Sequence, residues 1–256
     1  MSTSFRLDGK LALVTGSARG IGKTLAVGLA EAGADVIIHC RSIERSQQVA
    51  DEIRKETGAE LYATAFDVTN PTEVDQEIGK LENLTSRTID ILVNNAGMQT
   101  RAPITEFAVD DWKQLLDTNI TSAFLVSKRV APGMIAKSRG RIINIGSVQS
   151  QLARPGIAPY SATKGAIVML TKGLTADLAK NGITINAIAP GYFATELTQA
   201  LVEDEEFSAW VEKRTPAGRW GDTRDLQGPL VFLASEASAF VNGQTLFVDG
   251  GMTAVV

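Results

Sequence analysis

A tyrosine and a lysine, Tyr160 and Lys164, lie four residues apart. On a helix this spacing puts both side chains on one face, with an ammonium group beside a phenol. A phenol has an ordinary pKa of about 10, and a nearby cation favours its ionised form. The pair therefore predicts a tyrosine of lowered pKa that acts as a general acid or base. The alternative is a plain tyrosine and lysine on a solvated helix surface.

Two further polar residues precede this pair. Ser147 follows a predicted strand, where open α/β sheets bind ligands, and its hydroxyl can hydrogen-bond a carbonyl or alkoxide oxygen. Asn119 is placed inside a predicted helix, where asparagine is slightly disfavoured. Its amide would either hold a water in a proton relay to Lys164 or serve as a core polar group bonded to the backbone.

A glycine-rich stretch, residues 15–22, follows the first predicted strand and opens a helix. Gly16, Gly20 and Gly22 permit a tight turn and let backbone N–H groups approach a pyrophosphate. Their spacing is Gly-x3-Gly-x-Gly, which differs from the G-x-G-x-x-G of other dinucleotide folds. The placement between strand and helix favours a phosphate loop over a simple tight turn.

The end of the second predicted strand bears on the choice between NAD and NADP. An acidic residue there would bind the ribose hydroxyls of NAD and repel a 2′-phosphate. The chain instead has Cys40, Arg41 and Ser42, and Arg19 lies in the glycine stretch. Two arginines suited to a 2′-phosphate predict NADP(H), with NAD(H) as the second choice. The alternative is that both arginines are solvated surface charges.

Short β-branched runs alternate with helical segments, which is the pattern of a parallel sheet built from βαβ units. The predicted fold is α/β: one Rossmann-like doubly wound domain over residues 1–256, a seven-stranded parallel sheet with helices on both faces. Strands are predicted at residues 11–15, 36–40, 61–66, 89–94, 141–145, 183–189 and 245–248. Helices are predicted at residues 21–32, 43–57, 71–84, 109–136, 160–180 and 222–233. Residues 195–221 contain helix-like pieces without a strand, and predict a substrate lid or, alternatively, an ordinary connecting helix pair.

Composition argues against several classes of protein. The 256 residues include 25 basic and 29 acidic side chains, so the net charge of −4 offers no broad basic field for nucleic acid or a membrane surface. A single Cys40 excludes an intrachain disulfide framework, and with the single His39 it argues against a metal site. The first ten residues lack the apolar stretch of a signal peptide. We expect a cytoplasmic protein that binds small molecules.

Taken together, these motifs resemble the short-chain dehydrogenase/reductase family. Residues 15–22, 94–97 and 189–191, together with Ser147 and the Tyr160/Lys164 pair, occur in the order and at about the spacings of that family. The resemblance implies an oxidoreductase that moves a hydride between a nicotinamide cofactor and an alcohol/carbonyl pair. It also implies a homotetramer and a catalytic tetrad of Asn119, Ser147, Tyr160 and Lys164. The resemblance places Asp67 and Val68 beside the adenine of the cofactor. The predicted cofactor-binding residues are Gly16, Ser17, Arg19, Gly20, Ile21, Gly22, Arg41, Ser42, Asp67, Val68, Asn94, Ala96, Gly97, Ile145, Tyr160, Lys164, Pro190, Gly191, Phe193 and Thr195.

Polar side chains gather at the predicted mouth of the site. Predicted substrate-binding residues are Arg101, Ser147, Gln149, Arg154 and Tyr160. Guanidinium groups suit a carboxylate and amides suit hydroxyls, so the cluster favours a polyhydroxylated anion over a solvated loop. The sequence resembles gluconate 5-dehydrogenases within the family at residues 95–101, 147–150, 189–193, 201–205, 214–221 and 248–252. This resemblance implies interconversion of D-gluconate and 5-keto-D-gluconate. The alternatives are a 2-deoxy-gluconate 3-dehydrogenase, a 3-oxoacyl-thioester reductase and a non-enzymatic NADP-sensing protein.

Overall fold

Seven strands form one sheet in the computed structural model, which describes residues 3–256. The strand order is β3-β2-β1-β4-β5-β6-β7, and every neighbouring pair is parallel. The strands are β1 (Leu11–Val14), β2 (Asp35–Cys40), β3 (Leu61–Ala65), β4 (Ile91–Asn94), β5 (Gly140–Ile145), β6 (Ile183–Pro190) and β7 (Thr245–Val248). The predicted seven-stranded parallel sheet is therefore confirmed.

Helices cover both faces of the sheet. They are α1 (Gly20–Glu31), α2 (Ile43–Thr57), α3 (Pro71–Thr85), α4 (Val109–Leu116), α5 (Ser122–Ala136), α6 (Ala158–Leu178), α7 (Gln199–Val202), α8 (Glu205–Arg214) and α9 (Gln227–Ala234). Apolar side chains of α1, α2 and α9 contribute to the core on one face. Those of α3, α5 and α6 contribute to the core on the other. This is the predicted doubly wound α/β arrangement in a single domain.

Alternation along the strands divides the apolar residues between the two cores. In β1, Ala12 and Val14 point to the α1 side, whereas Leu11 and Leu13 point to the α3 side, and all four are fully buried. Successive side chains of a strand face opposite ways, so a strand covered on both faces must be apolar throughout. The continuous apolar runs of the sequence follow from this requirement.

The predicted helix over residues 109–136 is interrupted. A π-helical turn, Asp117–Thr121, separates α4 from α5. The prediction for β4 also began two residues too early, because the Asp90 carboxylate accepts the Leu11 N–H at 2.9 Å. A side chain thus satisfies a backbone group where the sheet would otherwise continue. Within the described residues, no helix has the length and apolar character needed to cross a membrane.

The strand order places a switch point between β1 and β4. From β1 the sheet continues through β2 to β3, and from β4 it continues the opposite way to β7. Loops that leave neighbouring strands in opposite directions open a crevice at the carboxyl ends of the strands, where such sheets bind ligands.

Candidate active site

A cleft of about 1110 Å³ lies at the carboxyl ends of the strands. The glycine turn after β1 forms one end, and Ser147, Tyr160 and Lys164 line the other. Small-molecule sites usually measure roughly 300 to 1,000 Å³. The cleft is therefore large enough for an extended ligand, such as a dinucleotide, together with a small second molecule.

The turn between β1 and α1 has the geometry of a phosphate loop. Gly16 and Gly20 have φ angles of +64° and +52°, which favour glycine. A Cβ atom on Gly22 would lie 2.3 Å from the Gly16 carbonyl oxygen, so only glycine lets α1 begin this close to β1. Arg19 at the N-cap makes no side-chain hydrogen bond to the first turn of α1. The first N–H groups of the helix therefore remain available to an anion, and the turn fits a pyrophosphate.

Side chains beneath the turn hold its shape. Asn95 Nδ2 donates to the carbonyl oxygens of Thr15 and Gly16, at 2.9 and 3.0 Å. Ser17, a predicted cofactor contact, is fully buried and does not line the cleft. Its hydroxyl donates to the Val14 carbonyl at 2.7 Å. Ser17 therefore stabilises the turn from below.

Three arginines line the cleft beside the end of β2. Arg19 and Arg41 lie where the sequence analysis places them, and both are exposed. Arg45 lines the same wall from the first turn of α2 and donates to the Ala18 carbonyl at 3.4 Å. β2 ends at Cys40, and neither of the next two residues, Arg41 and Ser42, carries a carboxylate. The charge at this wall suits a phosphate dianion better than a pair of ribose hydroxyls.

Asp67 and Ser42 complete this wall of the cleft. The backbone and side-chain hydrogen bonds from Thr69 lower the pKa of the Asp67 carboxyl, and the Arg41 charge adds to the effect. The Ser42 hydroxyl accepts the Arg45 N–H at 3.2 Å and caps α2. Asp67 is therefore held as an ionised acceptor, and Ser42 fixes the start of the helix that carries Arg45.

The structure brings Ser147, Tyr160 and Lys164 together at the other end of the cleft. Tyr160 and Lys164 lie one turn apart on α6, with the Lys164 Nζ 5.7 Å from the centre of the Tyr160 ring. That Nζ donates to the Ile145 carbonyl at 2.9 Å, at the end of β5. Ser147 follows β5 and accepts the Gln149 N–H at 3.1 Å, and its hydroxyl acts on Tyr160 by lowering the pKa of the phenol. The helix and the strand end thus fix a hydroxyl, a phenol and an ammonium in one place.

The predicted direction of the Tyr160 pKa is wrong. Burial raises the pKa of Tyr160, and a hydrogen bond from Ser147 and the charge of Arg101 only partly oppose this. Lys164 is 7% exposed, and burial lowers its own pKa from 10.5 to about 8. Because the ammonium is directed to the Ile145 carbonyl, desolvation dominates at the phenol. Tyr160 is therefore held in its protonated form at neutral pH.

Asn119 lies in the π-helical turn between α4 and α5 and is 2% exposed. Its Oδ1 accepts the Met98 N–H at 2.8 Å, and its Nδ2 donates to the Met98 carbonyl at 3.0 Å. The same Nδ2 donates to Thr163 Oγ1 at 3.1 Å. This matches the alternative of a core polar group bonded to the backbone. The amide therefore joins the loop after β4 to α6, which it contacts at Thr163, the residue before Lys164. Short π-helical turns within α-helices are frequent at functional sites.

Two cationic side chains meet at the mouth of the cleft. Arg101 and Arg154 both line the cleft; burial lowers the pKa of Arg101, and the charge of Arg154 lowers it further. The Arg154 guanidinium also stacks 5.2 Å from the centre of the Phe207 ring. Gln149 is 8% exposed; its Nε2 donates to Tyr192 Oη at 3.5 Å, and its Oε1 has no hydrogen-bond partner among the described residues. This mouth suits a small anion that also carries hydroxyl groups.

An aromatic cluster connects residues 195–221 to the cleft. The Tyr192 ring lies edge-on to Phe207, Trp210 and Trp220, with ring centres 5.8, 5.7 and 5.9 Å away. Phe207 and Trp210 belong to α8, and Trp220 lies beyond it. The segment therefore packs against the mouth through Tyr192, which also contacts Gln149, and through the contact of Phe207 with Arg154.

Comparison with known proteins places the chain in a family. Residues 16–253 match a family model whose description is "Enoyl-(Acyl carrier protein) reductase". Gluconate 5-dehydrogenase of Gluconobacter oxydans is 53% identical over 249 residues, covering 97% of this chain and 96% of that protein. The 5-keto-D-gluconate 5-reductase of Escherichia coli K12 is 49% identical over the full length of both. The chain belongs to the short-chain dehydrogenase/reductase family.

A solved structure of this short-chain dehydrogenase/reductase family supports the same assignment. It is a gluconate 5-dehydrogenase from Burkholderia cenocepacia in complex with NADP and tartrate. That protein is 56% identical to this chain, with a TM-score of 0.96 and coverage of 99% of this chain and 98% of the other. The resemblance inferred from the motifs is therefore confirmed.

In this short-chain dehydrogenase/reductase, most of the predicted cofactor residues line the cleft. Those that do are Gly16, Arg19, Gly20, Ile21, Gly22, Arg41, Ser42, Asp67, Val68, Ala96, Gly97, Ile145, Tyr160, Lys164, Pro190, Gly191, Phe193 and Thr195. Asn94 does not line it. Its Nδ2 donates to Asn144 Oδ1 at 2.8 Å and to Ser127 Oγ at 3.0 Å, which ties β4 to β5 and α5.

Four residues that help to build the site were not predicted from the sequence: His39, Arg45, Asn95 and Tyr192. Arg45 had a signal, because it lies one helical turn after Arg41 at the start of a predicted helix. Asn95 lies inside the quoted stretch 94–97. Tyr192 directly follows the quoted stretch 189–191. His39 had no sequence signal beyond its position at a strand end.

Proposed function

We propose that this chain is an NADP(H)-dependent oxidoreductase that interconverts D-gluconate and 5-keto-D-gluconate. The observation that carries the proposal is the pair Arg101 and Arg154 at the mouth, beside Tyr160. All three side chains line the same cleft, and the charge of Arg101 partly opposes the rise in the pKa of Tyr160, so an anion-binding group shares the cleft with the proton donor. A sugar acid has a carboxylate for this pair and hydroxyls for Gln149 and Tyr192. The relatives named above, which act on gluconate or its 5-keto form, support the same substrate.

The chain's own residues supply binding, orientation and a proton. The nicotinamide, when bound, supplies the hydride in reduction and accepts it in oxidation. During reduction Ser147 and Tyr160 hydrogen-bond the C5 carbonyl oxygen, and Tyr160 gives it a proton as C5 gains the hydride. The ammonium of Lys164 then stabilises the negative charge left on the phenol oxygen until a proton returns from water. Oxidation of D-gluconate runs the same steps in reverse.

The remaining residues of the site take supporting roles in this proposal. The glycine turn and the first turn of α1 bind the pyrophosphate, and Arg19, Arg41 and Arg45 bind the 2′-phosphate. Asn119 holds Met98 and Thr163 in register, and with them the position of Lys164 on α6. Residues 195–221 form a lid within the single domain of residues 1–256, because their aromatic cluster packs on the mouth.

Other reactions carried out within the family are the alternatives that a substrate panel can distinguish. The relatives also include 2-dehydro-3-deoxy-D-gluconate 5-dehydrogenase of Formosa agariphila, which is 40% identical. A 3-oxoacyl-thioester substrate needs an apolar channel, which paired guanidinium groups at the mouth oppose. A non-enzymatic NADP sensor has no need for Tyr160 and Lys164 in register with Ser147.

A substrate panel tests the function directly. 5-Keto-D-gluconate, neutral ketoses and acetoacetyl thioesters are each supplied with NADPH or NADH. A 2-keto-3-deoxy sugar acid, which carries a hydroxyl at C5, is supplied with NADP⁺ or NAD⁺, and cofactor absorbance is followed in every case. We expect the highest kcat/KM for 5-keto-D-gluconate with NADPH. A higher kcat/KM for the thioester or a neutral ketose contradicts the proposal, and so does absence of turnover with every substrate.

Arg101→Met is expected to raise the KM for 5-keto-D-gluconate by about 10- to 100-fold, with a smaller change in kcat. The loss of a charge-assisted hydrogen bond to the carboxylate accounts for this factor. Arg154→Met should act in the same direction. Lys113→Met is the matched control, because Lys113 also lines the cleft but is paired with Asp110 at 3.1 Å. If none of the three substitutions changes the KM for 5-keto-D-gluconate, Arg101 and Arg154 do not bind the substrate carboxylate.

Arg41→Asp is expected to lower kcat/KM for NADPH by about 10- to 100-fold and to leave or improve that for NADH. A carboxylate at this place repels the 2′-phosphate and can accept hydrogen bonds from ribose hydroxyls. Steady-state kinetics with both cofactors at saturating 5-keto-D-gluconate measures the ratio. An unchanged preference for NADPH would show that Arg41 is a solvated charge without a role in cofactor choice.

The assembly and location also belong to this proposal. Exposed apolar side chains Phe124 on α5 and Met169 on α6 suggest that these helices form subunit interfaces. Phe240 and Leu246, at the edge of the sheet, suggest a second interface. We assign a homotetramer to the protein and place it in the cytoplasm, where NADP(H) and sugar acids are available.

A further inference from the structure

His39 is the single histidine of the chain and lies at the end of β2. It is 2% exposed and lies between the glycine turn after β1 and the loop after β3. None of the catalytic steps proposed above uses it. A buried imidazole between two parts of a ligand cleft calls for a physical explanation.

Both ring nitrogens of His39 have partners. Nδ1 accepts the Gly16 N–H at 3.1 Å, and Nε2 lies 3.0 Å from the Phe66 carbonyl oxygen. These partners require one tautomer, with the proton on Nε2 and the lone pair on Nδ1. Burial lowers the pKa of His39 from 6.5 to about 4, so the ring is neutral at pH 7. The ring also packs on Phe66, with ring centres 4.1 Å apart.

The two partners belong to different halves of the proposed cofactor site. Gly16 begins the turn that fits the pyrophosphate. Phe66 directly precedes Asp67 and Val68, the predicted adenine contacts. The backbone of His39 adds two bonds to the turn, from Ser17 N–H to the His39 carbonyl and from the His39 N–H to Ser17 Oγ, both 2.9 Å. His39 therefore connects the glycine turn after β1 to the loop after β3.

We propose that His39 is a positioning residue that sets the pyrophosphate turn and the adenine loop at the separation that NADP(H) requires. The inference rests on the proposed NADP(H) binding and deepens it. Nδ1 keeps the Gly16 N–H directed beneath the turn, and Nε2–H holds the Phe66 carbonyl. His39 itself touches no reacting atom, so it acts through Gly16 and Phe66.

Two substitutions separate the two bonds. In His39→Asn the amide oxygen lies near the place of Nδ1, so the bond from the Gly16 N–H is retained and the bond to Phe66 is lost. In His39→Gln the amide nitrogen lies near the place of Nε2, so the bond to Phe66 is retained and the bond from Gly16 is lost. Dissociation constants are measured by calorimetry for NADP⁺ and for 2′-AMP, which has the adenine and the 2′-phosphate but lacks the pyrophosphate.

The expected results differ between the variants. His39→Gln should raise the Kd of NADP⁺ about tenfold, the factor for one buried hydrogen bond, and leave that of 2′-AMP within about twofold. His39→Asn should raise the Kd of both ligands by a similar factor of about five, because both use the adenine side.

Thr64→Val is the matched control. Thr64 pairs with His39 across β2 and β3, is 3% exposed and does not line the cleft. The Thr64→Val variant should bind both ligands as tightly as the wild type does, even if its melting temperature falls. The inference is overturned if His39→Gln binds NADP⁺ as tightly as the wild type, or if both His39 variants weaken both ligands equally.

Failure of the proposed function gives a different pattern. If wild-type protein binds neither NADP⁺ nor 2′-AMP, the cofactor assignment fails and this inference fails with it. If the wild type binds both ligands and the variants show no split between them, only the role of His39 is refuted.

Discussion

Tyr160→Phe is expected to lower kcat for reduction of 5-keto-D-gluconate by about 10² to 10⁴, the usual contribution of a positioned general acid. The substitution removes the only atom that gives the proton and keeps the ring that packs beside Lys164. The Kd of NADP⁺ should stay within about threefold. NADPH absorbance measures turnover, and a fluorescence titration measures binding. Burial raises the pKa of Tyr160, so the wild-type phenol is protonated and ready to donate across the neutral range.

Tyr62→Phe is the control for this experiment. Tyr62 lies on β3, partly buried and outside the cleft, so the same loss of a hydroxyl should leave kcat unchanged. Turnover of Tyr160→Phe within tenfold of wild type would show that another group supplies the proton, and the mechanism would fail.

Lys164→Met is expected to lower kcat by at least about 100-fold and to change how stability depends on pH. The pKa of Lys164 falls from 10.5 in the unfolded chain to about 8 in the folded protein, so burying its charge costs roughly 3 kcal/mol at pH 7. Between these two values the unfolded chain binds more protons than the folded one, and wild-type stability therefore gains with rising pH from this residue. The cost is fully present below pH 8 and disappears by about pH 10.5. The stability of Lys164→Met lacks this rise with pH, because methionine has no charge to bury.

Urea unfolding at pH 7, 8.5 and 9.5 measures the difference. Lys164→Met should be most stable relative to the wild type at pH 7, and its advantage should shrink as the pH rises. Lys172→Met is the control, because Lys172 is exposed on the same helix and its replacement should shift stability equally at each pH. Parallel stability profiles for wild type and Lys164→Met would contradict the burial of an ammonium group at this position.

The elements of the fold could be predicted closely from the sequence. The starts of α2 and α3 and both ends of β7 match the prediction, since caps and apolar runs mark them locally. The break at Asp117–Thr121 could not be predicted, because it follows from the hydrogen bonds of Asn119 to Met98 and Thr163, which lie far away in the chain. The start of β4 was misplaced for a similar reason, the bond between Asp90 and Leu11.

Residue types and spacings by themselves determined the fold class, the glycine turn and the chemistry that Ser147, Tyr160 and Lys164 can perform. Those properties are local: they depend on backbone freedom, helical period and the groups that a side chain carries. Tertiary structure alone decided the protonation states and the supporting contacts. The pKa values of Tyr160 and Lys164 depend on burial, which sums over the whole fold and overrides the pairwise charge effect expected from sequence. The position of His39 between Gly16 and Phe66 likewise exists only once β1, β2 and β3 lie side by side.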